Sequence, residues 1–398
     1  MAIAKAVKGA LAGSSMIRKM FEEGSELKKK YGAGKVFDFS IGNPDLEPPP
    51  AFHEALVRLA SEDAKGSHGY MPNPGFPGVR EAVAQRASRE QGAPLSGSHI
   101  IMASGAAGAL NVILKTILNP GDELIVSAPY FMEYGAYVAN HGGVLTAVDS
   151  GEDFNLDVEA IAASLTEKTA AVLINSPHNP TGRVYPRETL EELASALREH
   201  GRKTGRKPYL VSDEPYREIV YDGIEVPSVL AAYEESMVAT SYSKNLSLPG
   251  ERIGYIAVSP RAEGLDDLLA GLVYATRVLG YVNAPALMQR VVAALTGEKA
   301  AVAVYAARRD AFIEVLKETG IEYAPPQGTF YLFCKVPARK KNGPSADSDF
   351  TAHLKKHLIL GVPGSSFKKP GWVRFAYCVD EKLIRDSAPA FRAAVAEW

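Results

Sequence analysis

The residues best suited to chemistry lie in the segment 241–255, which reads SYSKNLSLPGERIGY. Lys244 lies there between hydroxyl side chains, after an apolar run typical of a strand and eight residues before Arg252. A lysine forms an imine only as the neutral amine, so burial and a nearby cation, which both lower its pKa, favour that chemistry. The planar guanidinium of Arg252 could also hold a phosphate. The segment therefore fits a Schiff-base site for pyridoxal phosphate, although a surface lysine and arginine beside a turn would give the same pattern.

An acidic pair closes another apolar strand, in the segment 212–216 (SDEPY). A carboxylate at that position is costly to bury unless it is paired, and a protonated pyridine nitrogen would be a suitable partner for Asp213. That pair would keep the ring an electron sink, and Tyr216 could hydrogen-bond the ring phenolate. A phosphate–magnesium site also uses an aspartate at a strand end, but no Gly-x-x-x-x-Gly-Lys-[Ser/Thr] loop accompanies this one.

Two loops that follow predicted strands offer further binding groups, as expected where an open α/β sheet binds its ligands. The segment 104–109 (SGAAGA) opens a helical pattern, so its free N–H groups could bind a phosphate, or its small residues could simply allow close packing. In the segment 175–182 (NSPHNPTG) the amide of Asn179 could donate to a ligand oxygen, or it could form an Asx-turn. His178 fits a loop residue better than a ligand or a base.

An aromatic ring and an arginine complete the candidate groups. Tyr130 follows a strand and could stack on a flat cofactor, although a core or surface position is the commoner fate of a tyrosine. Arg374 lies inside the apolar strand 372–376 (WVRFA), where a buried guanidinium requires a carboxylate. A substrate α-carboxylate and an internal salt bridge both meet that requirement.

The elements that must position these groups alternate between short β-rich runs and helical patterns from about residue 100 to 300. This alternation predicts a mostly parallel sheet with helices on both faces, in a large cofactor-binding domain of residues 46–298. The predicted strands are 99–103, 123–127, 144–148, 170–175, 209–213, 237–241 and 254–259.

The pattern changes to α+β after about residue 300. Because residues 28–40 also read as a helix end and a strand, we expect both termini, 1–45 and 299–398, to form a smaller α+β domain. A polar stretch at 338–348 is predicted to be a surface loop. The predicted elements of this region are helices at 302–320, 350–358 and 382–397 and strands at 321–324, 329–336 and 372–378.

Composition bounds the function classes. A formal net charge of −2 gives no field that would attract nucleic acid or an anionic membrane, so small molecules are the expected partners. No window is apolar enough to span a membrane, and residues 1–13 lack a signal-peptide core and are expected to form an N-terminal helix or arm. Two cysteines are too few for a disulfide framework or a metal cluster, and the histidines show no ligand spacing. These features predict a cytoplasmic protein without a bound metal.

Taken together, the motifs resemble those of the class I aminotransferases, the fold-type I pyridoxal-phosphate enzymes. The resemblance runs from 39–45 (FSIGNPD) through 69–75 (GYMPNPG) to Arg374, in the order of the family. It implies that Lys244 is the Schiff-base lysine and the proton carrier, and that Asp213 pairs with the pyridine nitrogen. The other implied positions are Tyr216 and Asn179 for the phenolate, Tyr130 for stacking, Gly105, Ala106, Ala107, Ser241 and Arg252 for the phosphate, and Gly42, Asn179 and Arg374 for the substrate carboxylate.

The resemblance also implies a homodimer, in which Tyr70 reaches the cofactor phosphate of the neighbouring subunit. The sequence departs from the commonest pattern at Ala106 and Ala107, where a hydroxyl residue is frequent, and in the short loop 368–371 before Arg374.

The implied reaction transfers an amino group from an L-amino acid to a 2-oxo acid by a ping-pong mechanism, with an aspartate-like or aromatic donor and 2-oxoglutarate. Arg277 is either a reader of a distal carboxylate or a helix-surface residue. A carbon–sulfur β-lyase on the same fold shares every cofactor residue and stays the alternative. A cofactor-binding regulator without catalysis would carry a basic DNA-binding segment, and none precedes residue 40. A nicotinamide dehydrogenase would carry a Gly-x-Gly-x-x-Gly loop at the start of a βαβ unit, and the sequence shows none.

Overall fold

A mixed α/β architecture is seen in a computed structural model that describes residues 3–4, 7–9, 16–62, 65–339 and 346–398. The strands, in chain order, are β1 (Phe37–Asp38), β2 (Ile100–Ala103), β3 (Glu123–Ala128), β4 (Val144–Asp149), β5 (Thr169–Asn175), β6 (Tyr209–Asp213), β7 (Ser236–Ser241), β8 (Gly254–Val258), β9 (Tyr323–Ala324), β10 (Tyr331–Lys335), β11 (Ile359–Leu360), β12 (Val362–Pro363) and β13 (Trp372–Ala376). The helices are α1 (Met16–Tyr31), α2 (Pro50–Ser61), α3 (Pro77–Gln91), α4 (Gly105–Ile117), α5 (Glu133–Asn140), α6 (Val158–Ala163), α7 (Arg187–Thr204), α8 (Val229–Ala232), α9 (Leu265–Val278), α10 (Ala286–Ala294), α11 (Val302–Thr319), α12 (Asp347–Lys356), α13 (Glu381–Asp386) and α14 (Ala388–Glu397).

The largest sheet has seven strands in the order β2-β8-β7-β6-β5-β3-β4. The strands from β7 to β4 are parallel to one another, and β8 runs antiparallel between β7 and β2. The prediction of a mostly parallel sheet is therefore confirmed. Because parallel strands end at the same edge, the segments that follow β5, β6 and β7 come together there.

Helices cover both faces of this sheet. Val238 of β7 packs on one face in an apolar cluster with Leu197 of α7. The next residue back, Met237, lies on the opposite face in a cluster with Leu272 of α9. The alternation follows from the two-residue period of a strand, and burial on both sides explains why these strands are apolar throughout.

A second lobe joins the N-terminal segment to the C-terminal part of the chain. It contains an antiparallel sheet in the order β12-β13-β10-β9 and the parallel pair β1-β11. In its core the ring of Phe312 lies 4.6 Å from that of Phe39 and 5.8 Å from those of Phe375 and Phe391. The smaller α+β lobe built from both termini is thus present, whereas the exact limits 45/46 and 298/299 stay a prediction.

Three predictions for the ends of the chain need comment. The closing helix predicted at 382–397 is two helices, α13 and α14, because Pro389 lies in the first turn of α14 and has no N–H to continue a helix through Ser387. Helix α12 starts at Asp347, so the last residues of the predicted loop 338–348 are helical. Of that loop, 340–345 lie outside the described residues, as does most of the predicted N-terminal helix or arm at 1–13.

Among the described residues, no helix is both long enough and apolar enough to cross a membrane.

Replacing Phe312 by alanine tests the aromatic core of the small lobe. The side chain is fully buried, so Phe312→Ala should lower the free energy of unfolding by about 3–5 kcal/mol through lost burial and an unfilled cavity. Val304→Ala, on the exposed side of the same helix, is the control and should change the free energy of unfolding by less than about 0.5 kcal/mol. Urea denaturation followed by circular dichroism measures both, and equal effects would contradict this packing.

Candidate active site

A cavity of about 330 Å³ lies at the edge where β5, β6 and β7 end. It is closed on the other side by the N-terminal segment and by β10 and β13 of the small lobe. The residues predicted from the sequence that line it are Gly42, Ala106, Ala107, Asn179, Asp213, Tyr216, Ser241, Lys244, Arg252 and Arg374. The fold therefore brings together groups that are spread over most of the chain.

Lys244 follows β7 and points its amine at the N-terminal segment, where Nζ donates to the carbonyl of Gly42 at 2.6 Å. The pKa of this amine is lowered to about 8, chiefly by burial; the charges of Arg374 and Arg252 act in the same direction, and Cys378 opposes them. Arg252 thus contributes as the sequence suggested, but burial is the larger cause. The amine is neutral in a good fraction of molecules at mildly alkaline pH, which is the form that attacks a carbonyl carbon.

Asp213 ends β6 and is almost completely buried. Its Oδ2 accepts a hydrogen bond from the Tyr134 hydroxyl at 2.6 Å, whereas Oδ1 has no partner. Burial raises the pKa of this carboxyl to about 7, against the Tyr134 bond, which lowers it, and Glu214 adds to the rise. A cationic nitrogen placed at Oδ1 would satisfy the orphaned oxygen and favour the carboxylate, so the residue fits a protonated pyridine ring.

Arg374 has no salt bridge to any carboxylate that the structure describes. Its Nη1 donates to Asn179 Oδ1 at 3.1 Å, its Nη2 donates to the carbonyl of Ser40 at 2.8 Å, and its Nε is buried without a partner. The backbone N–H of Asn179 donates to Asn175 Oδ1 at 2.7 Å, so the Asx-type contact of this loop belongs to Asn175. These bonds hold a charged guanidinium whose donors are not all satisfied, which suits an incoming carboxylate.

Ala106 and Ala107 lie in the first turn of α4, and no side chain caps that helix. A Cβ added to Gly105, which has φ of 71°, would lie 2.9 Å from Nη2 of Arg252. The guanidinium is thus held beside the helix start, where Nη1 also donates to the Pro249 carbonyl at 2.9 Å. Uncapped N–H groups next to a cation are suited to binding an anion such as a phosphate.

The comparisons with known proteins agree with this geometry. Residues 34–391 match the family model described as aminotransferase class I and II. The chain belongs to this family. Its enzymes depend on pyridoxal phosphate, and the chain is a pyridoxal-phosphate-dependent transaminase.

Individual relatives align with almost the whole length of this aminotransferase. The aspartate/prephenate aminotransferase of Thermus thermophilus is 32% identical over 363 residues, which is 88% of this chain and 89% of that protein. An aminotransferase structure from Eubacterium rectale has a TM-score of 0.94 at 36% identity and covers 100% of this chain and 99% of its own. The Thermus thermophilus aspartate aminotransferase with maleate has a TM-score of 0.84 at 28% identity and covers 96% of both chains.

Several residues singled out in the sequence lie away from the cavity of the aminotransferase. Tyr130 is buried, and its backbone N–H donates a hydrogen bond to the Phe367 carbonyl. The described lining of the cavity contains its neighbour Phe131 in place of Tyr130. The stacking role of Tyr130 stays a prediction. Tyr70 is 94% exposed, and Arg277 lies on the exposed side of α9 with its guanidinium near the Tyr274 ring.

His178 was expected to be a loop residue, and it lies buried in its loop with Nδ1 at 2.7 Å from the Thr181 hydroxyl. Burial lowers the pKa of its imidazole to about 4.

Sequence reasoning missed three contributors to the site. The side chain of Asn175 donates to the backbone carbonyl of Asp213 at 2.7 Å. Asn175 is a polar residue at the end of the apolar strand β5, and this position could have indicated it as a site residue. Tyr134, in α5, carries no local motif that points to Asp213. Tyr331, in β10, lines the cavity and pairs its hydroxyl with that of Tyr216 at 2.9 Å, although its sequence surroundings read only as a strand.

The reactivity of Lys244 should follow its lowered pKa. Below about pH 8 the amine is protonated and unreactive, and above it the amine is neutral, so the rate at which the apoprotein forms its coloured imine with pyridoxal phosphate should rise with a midpoint near pH 8. Stopped-flow absorbance over a pH series measures this. Lys244→Ala should form no such species, and a midpoint near 10.5, the ordinary lysine value, would contradict the buried environment.

Proposed function

We propose that this aminotransferase uses Lys244 as both its Schiff-base lysine and its proton carrier, and that Asp213 is the partner of the cofactor nitrogen. The single observation that carries the proposal is the joint position of a lysine with a lowered pKa and a buried carboxylate oxygen without a partner in one cavity. A general structural role explains neither feature, because an unpaired buried polar group is costly unless a ligand meets it.

Pyridoxal phosphate supplies, when bound, an aldehyde for imine formation and a ring that accepts the electron pair of the substrate Cα–H bond. In this chain the N–H groups at Ala106 and Ala107, together with Ser241 and Arg252, would hold the phosphate. Tyr216 and Asn179 would donate hydrogen bonds to the ring oxygen. The charge of Asp213 would keep the ring nitrogen protonated.

The Lys244 amine, once released by the incoming amino acid, would take the proton from the substrate Cα and return it to the cofactor carbon. Its contact with the Gly42 carbonyl gives it a defined resting position next to the substrate side of the cavity. Arg374 would bind the substrate α-carboxylate in a bidentate manner, with Gly42 and Asn179 beside it.

The donor that we propose is aspartate-like or aromatic, with 2-oxoglutarate as acceptor. In support, four relatives at 30–32% identity are named aspartate or aspartate/prephenate aminotransferases, two of them as probable. The β-lyase alternative shares the cofactor residues, but none of these relatives is named a lyase.

We further infer a homodimer in which Tyr70 reaches the cofactor phosphate of the partner subunit. In support, Tyr70 is 94% exposed and therefore accessible to a partner subunit, and Tyr274 and Val278 of α9 are also about half exposed. For location we propose the cytoplasm, supported by Cys334 and Cys378, which are both buried and unpaired. The domain limits that we propose are 46–298 for the large domain, and 1–45 with 299–398 for the small one.

Chemical labelling tests the proposed role of Lys244. Borohydride reduction of the yellow holoenzyme followed by peptide mapping should place the label on Lys244, because reduction fixes the imine as a secondary amine. With a separate sample of unreduced holoenzyme, a panel of amino acids should bleach the visible band and release 2-oxo acids in a single half-reaction. Label on another lysine would refute the assignment, and release of pyruvate and ammonia from cysteine or its conjugates without transamination would favour the lyase.

Substituting Arg374 tests recognition of the α-carboxylate. Arg374→Lys retains the charge but loses the planar fork, so amino-acid binding should weaken by roughly 1.5–3 kcal/mol for all substrates while cofactor absorbance is almost unchanged. Titrations with aspartate, glutamate, alanine and phenylalanine measure this.

Arg277→Ala is the comparison for Arg374→Lys. If Arg277 reads a distal carboxylate from across the proposed dimer, its loss should weaken only the binding of aspartate and glutamate. Equal effects on all four amino acids would remove Arg277 from the site, and unchanged binding in Arg374→Lys would remove Arg374.

A further inference from the structure

Tyr331 contacts three functional parts of the site with one side chain. Its hydroxyl lies 2.9 Å from the Tyr216 hydroxyl, and its ring lies 4.3 Å from the guanidinium carbon of Arg374. A Cβ at Gly42 would overlap the same hydroxyl. The residue is 3% exposed and lies at the wall of the cavity, between the lobes.

The strand register explains how one tyrosine reaches both Tyr216 and Arg374. In the antiparallel pair of β10 and β13, Tyr331 is opposite Ala376 and Phe333 is opposite Arg374. Tyr331 and Arg374 are therefore diagonal neighbours on one face, at a separation that a large ring can span. The ring lies against the guanidinium, which also has the Phe367 ring at 4.9 Å, and the Tyr331 hydroxyl extends beyond it to Tyr216.

The close approach at Gly42 adds a third constraint. Because residue 42 has no side chain, the Tyr331 hydroxyl fits against the backbone whose carbonyl accepts the Lys244 amine at 2.6 Å. A larger residue at position 42 would displace a ring that is buried on its other sides. The Tyr331 side chain therefore contacts Tyr216, Arg374 and the backbone at Gly42 that binds the Lys244 amine.

We propose that Tyr331 is a positioning residue that sets two properties of the reaction separately: its hydroxyl orients Tyr216 toward the cofactor ring oxygen, and its ring orients Arg374 toward the substrate carboxylate. The proposal rests on the roles given above to Tyr216 and Arg374. Substitutions can separate the role of the hydroxyl from that of the ring, because Tyr331→Phe removes the hydroxyl alone and Tyr331→Leu removes both the hydroxyl and the aromatic face.

The hydroxyl is tested by the pH titration of the visible absorbance of the holoenzyme. A hydrogen bond from Tyr216 stabilises the anionic ring oxygen, so a misplaced Tyr216 makes the imine hold its proton to higher pH. Tyr331→Phe should raise the titration midpoint by about 0.5 to 1 pH unit, as expected for one neutral hydrogen bond. Tyr216→Phe should raise it more, and the double variant should equal Tyr216→Phe, because Tyr331 acts through Tyr216.

The ring is tested by the binding of 2-methylalanine, an amino acid that cannot lose a Cα proton. Tyr331→Phe should bind it as the wild type does, and Tyr331→Leu about tenfold more weakly, because a desolvated cation–π contact of this kind is lost. Tyr331→Met is measured in parallel and should behave as Tyr331→Leu, which keeps the test decisive if the leucine variant does not fold.

Tyr377→Phe is the matched control. Tyr377 is a buried tyrosine of the same lobe whose hydroxyl lies 3.2 Å from that of Tyr221, outside the described lining of the cavity. It should change neither the titration midpoint nor the binding of 2-methylalanine.

A Tyr331→Phe midpoint equal to that of the wild type, additive shifts in the double variant, or equal binding by the phenylalanine and leucine variants would overturn the inference. Wild-type holoenzyme that shows no amino-acid-dependent spectral change would instead refute the proposed function. The two failures are therefore distinguishable.

Discussion

In this aminotransferase two ionisable groups of the described cavity lining, Asp213 and Arg374, are buried without a full set of partners, and the arrangement of the site depends on how each is compensated. Asp213 is 7% exposed and Arg374 is 3% exposed. Removing such groups from water costs several kcal/mol each unless hydrogen bonds and opposite charges replace the solvent. The protein supplies part of the replacement through Tyr134 for the carboxylate and through Asn179 and Ser40 for the guanidinium. One buried atom of each group, Oδ1 and Nε, has no hydrogen-bond partner in the described structure.

The same burial sets the chemistry of Lys244. A lysine in water is protonated at neutral pH and is a poor nucleophile, but in this cavity its pKa falls to about 8. The largest cause of that shift is loss of solvent; Cys378 opposes it, and the two arginines, Arg374 and Arg252, add to it. A single physical condition, restricted access of water, therefore prepares both the amine and the unpaired carboxylate oxygen.

The site also needs both lobes. The large sheet provides Asp213 and Lys244, the small lobe provides Arg374, and the N-terminal segment provides the carbonyl groups of Ser40 and Gly42 between them. An ion pair with two hydrogen bonds, from Arg308 to Asp45 at 2.6 and 2.9 Å, fixes this segment to helix α11. Because the bonds around the cavity join distant parts of the chain, movement of one lobe relative to the other would change the contacts of Arg374 and Lys244 together.

The strands of the large sheet and the groups that follow them could be predicted from the amino-acid sequence, because strand periodicity and turn residues are local properties of the chain. Lys244, Asp213, Asn179 and Arg374 were also indicated, since polar residues that interrupt or closely follow apolar runs stand out. The contacts between distant parts of the chain, in contrast, could be established only from the folded structure. Tyr134 meets Asp213 over 79 positions of sequence, and Tyr216 meets Tyr331 over 115. Such contacts depend on strand register, helix placement and the direction of each side chain, and a local sequence pattern encodes none of these. The direction of the side chains also explains why Phe131, and not the predicted Tyr130, is part of the described cavity lining.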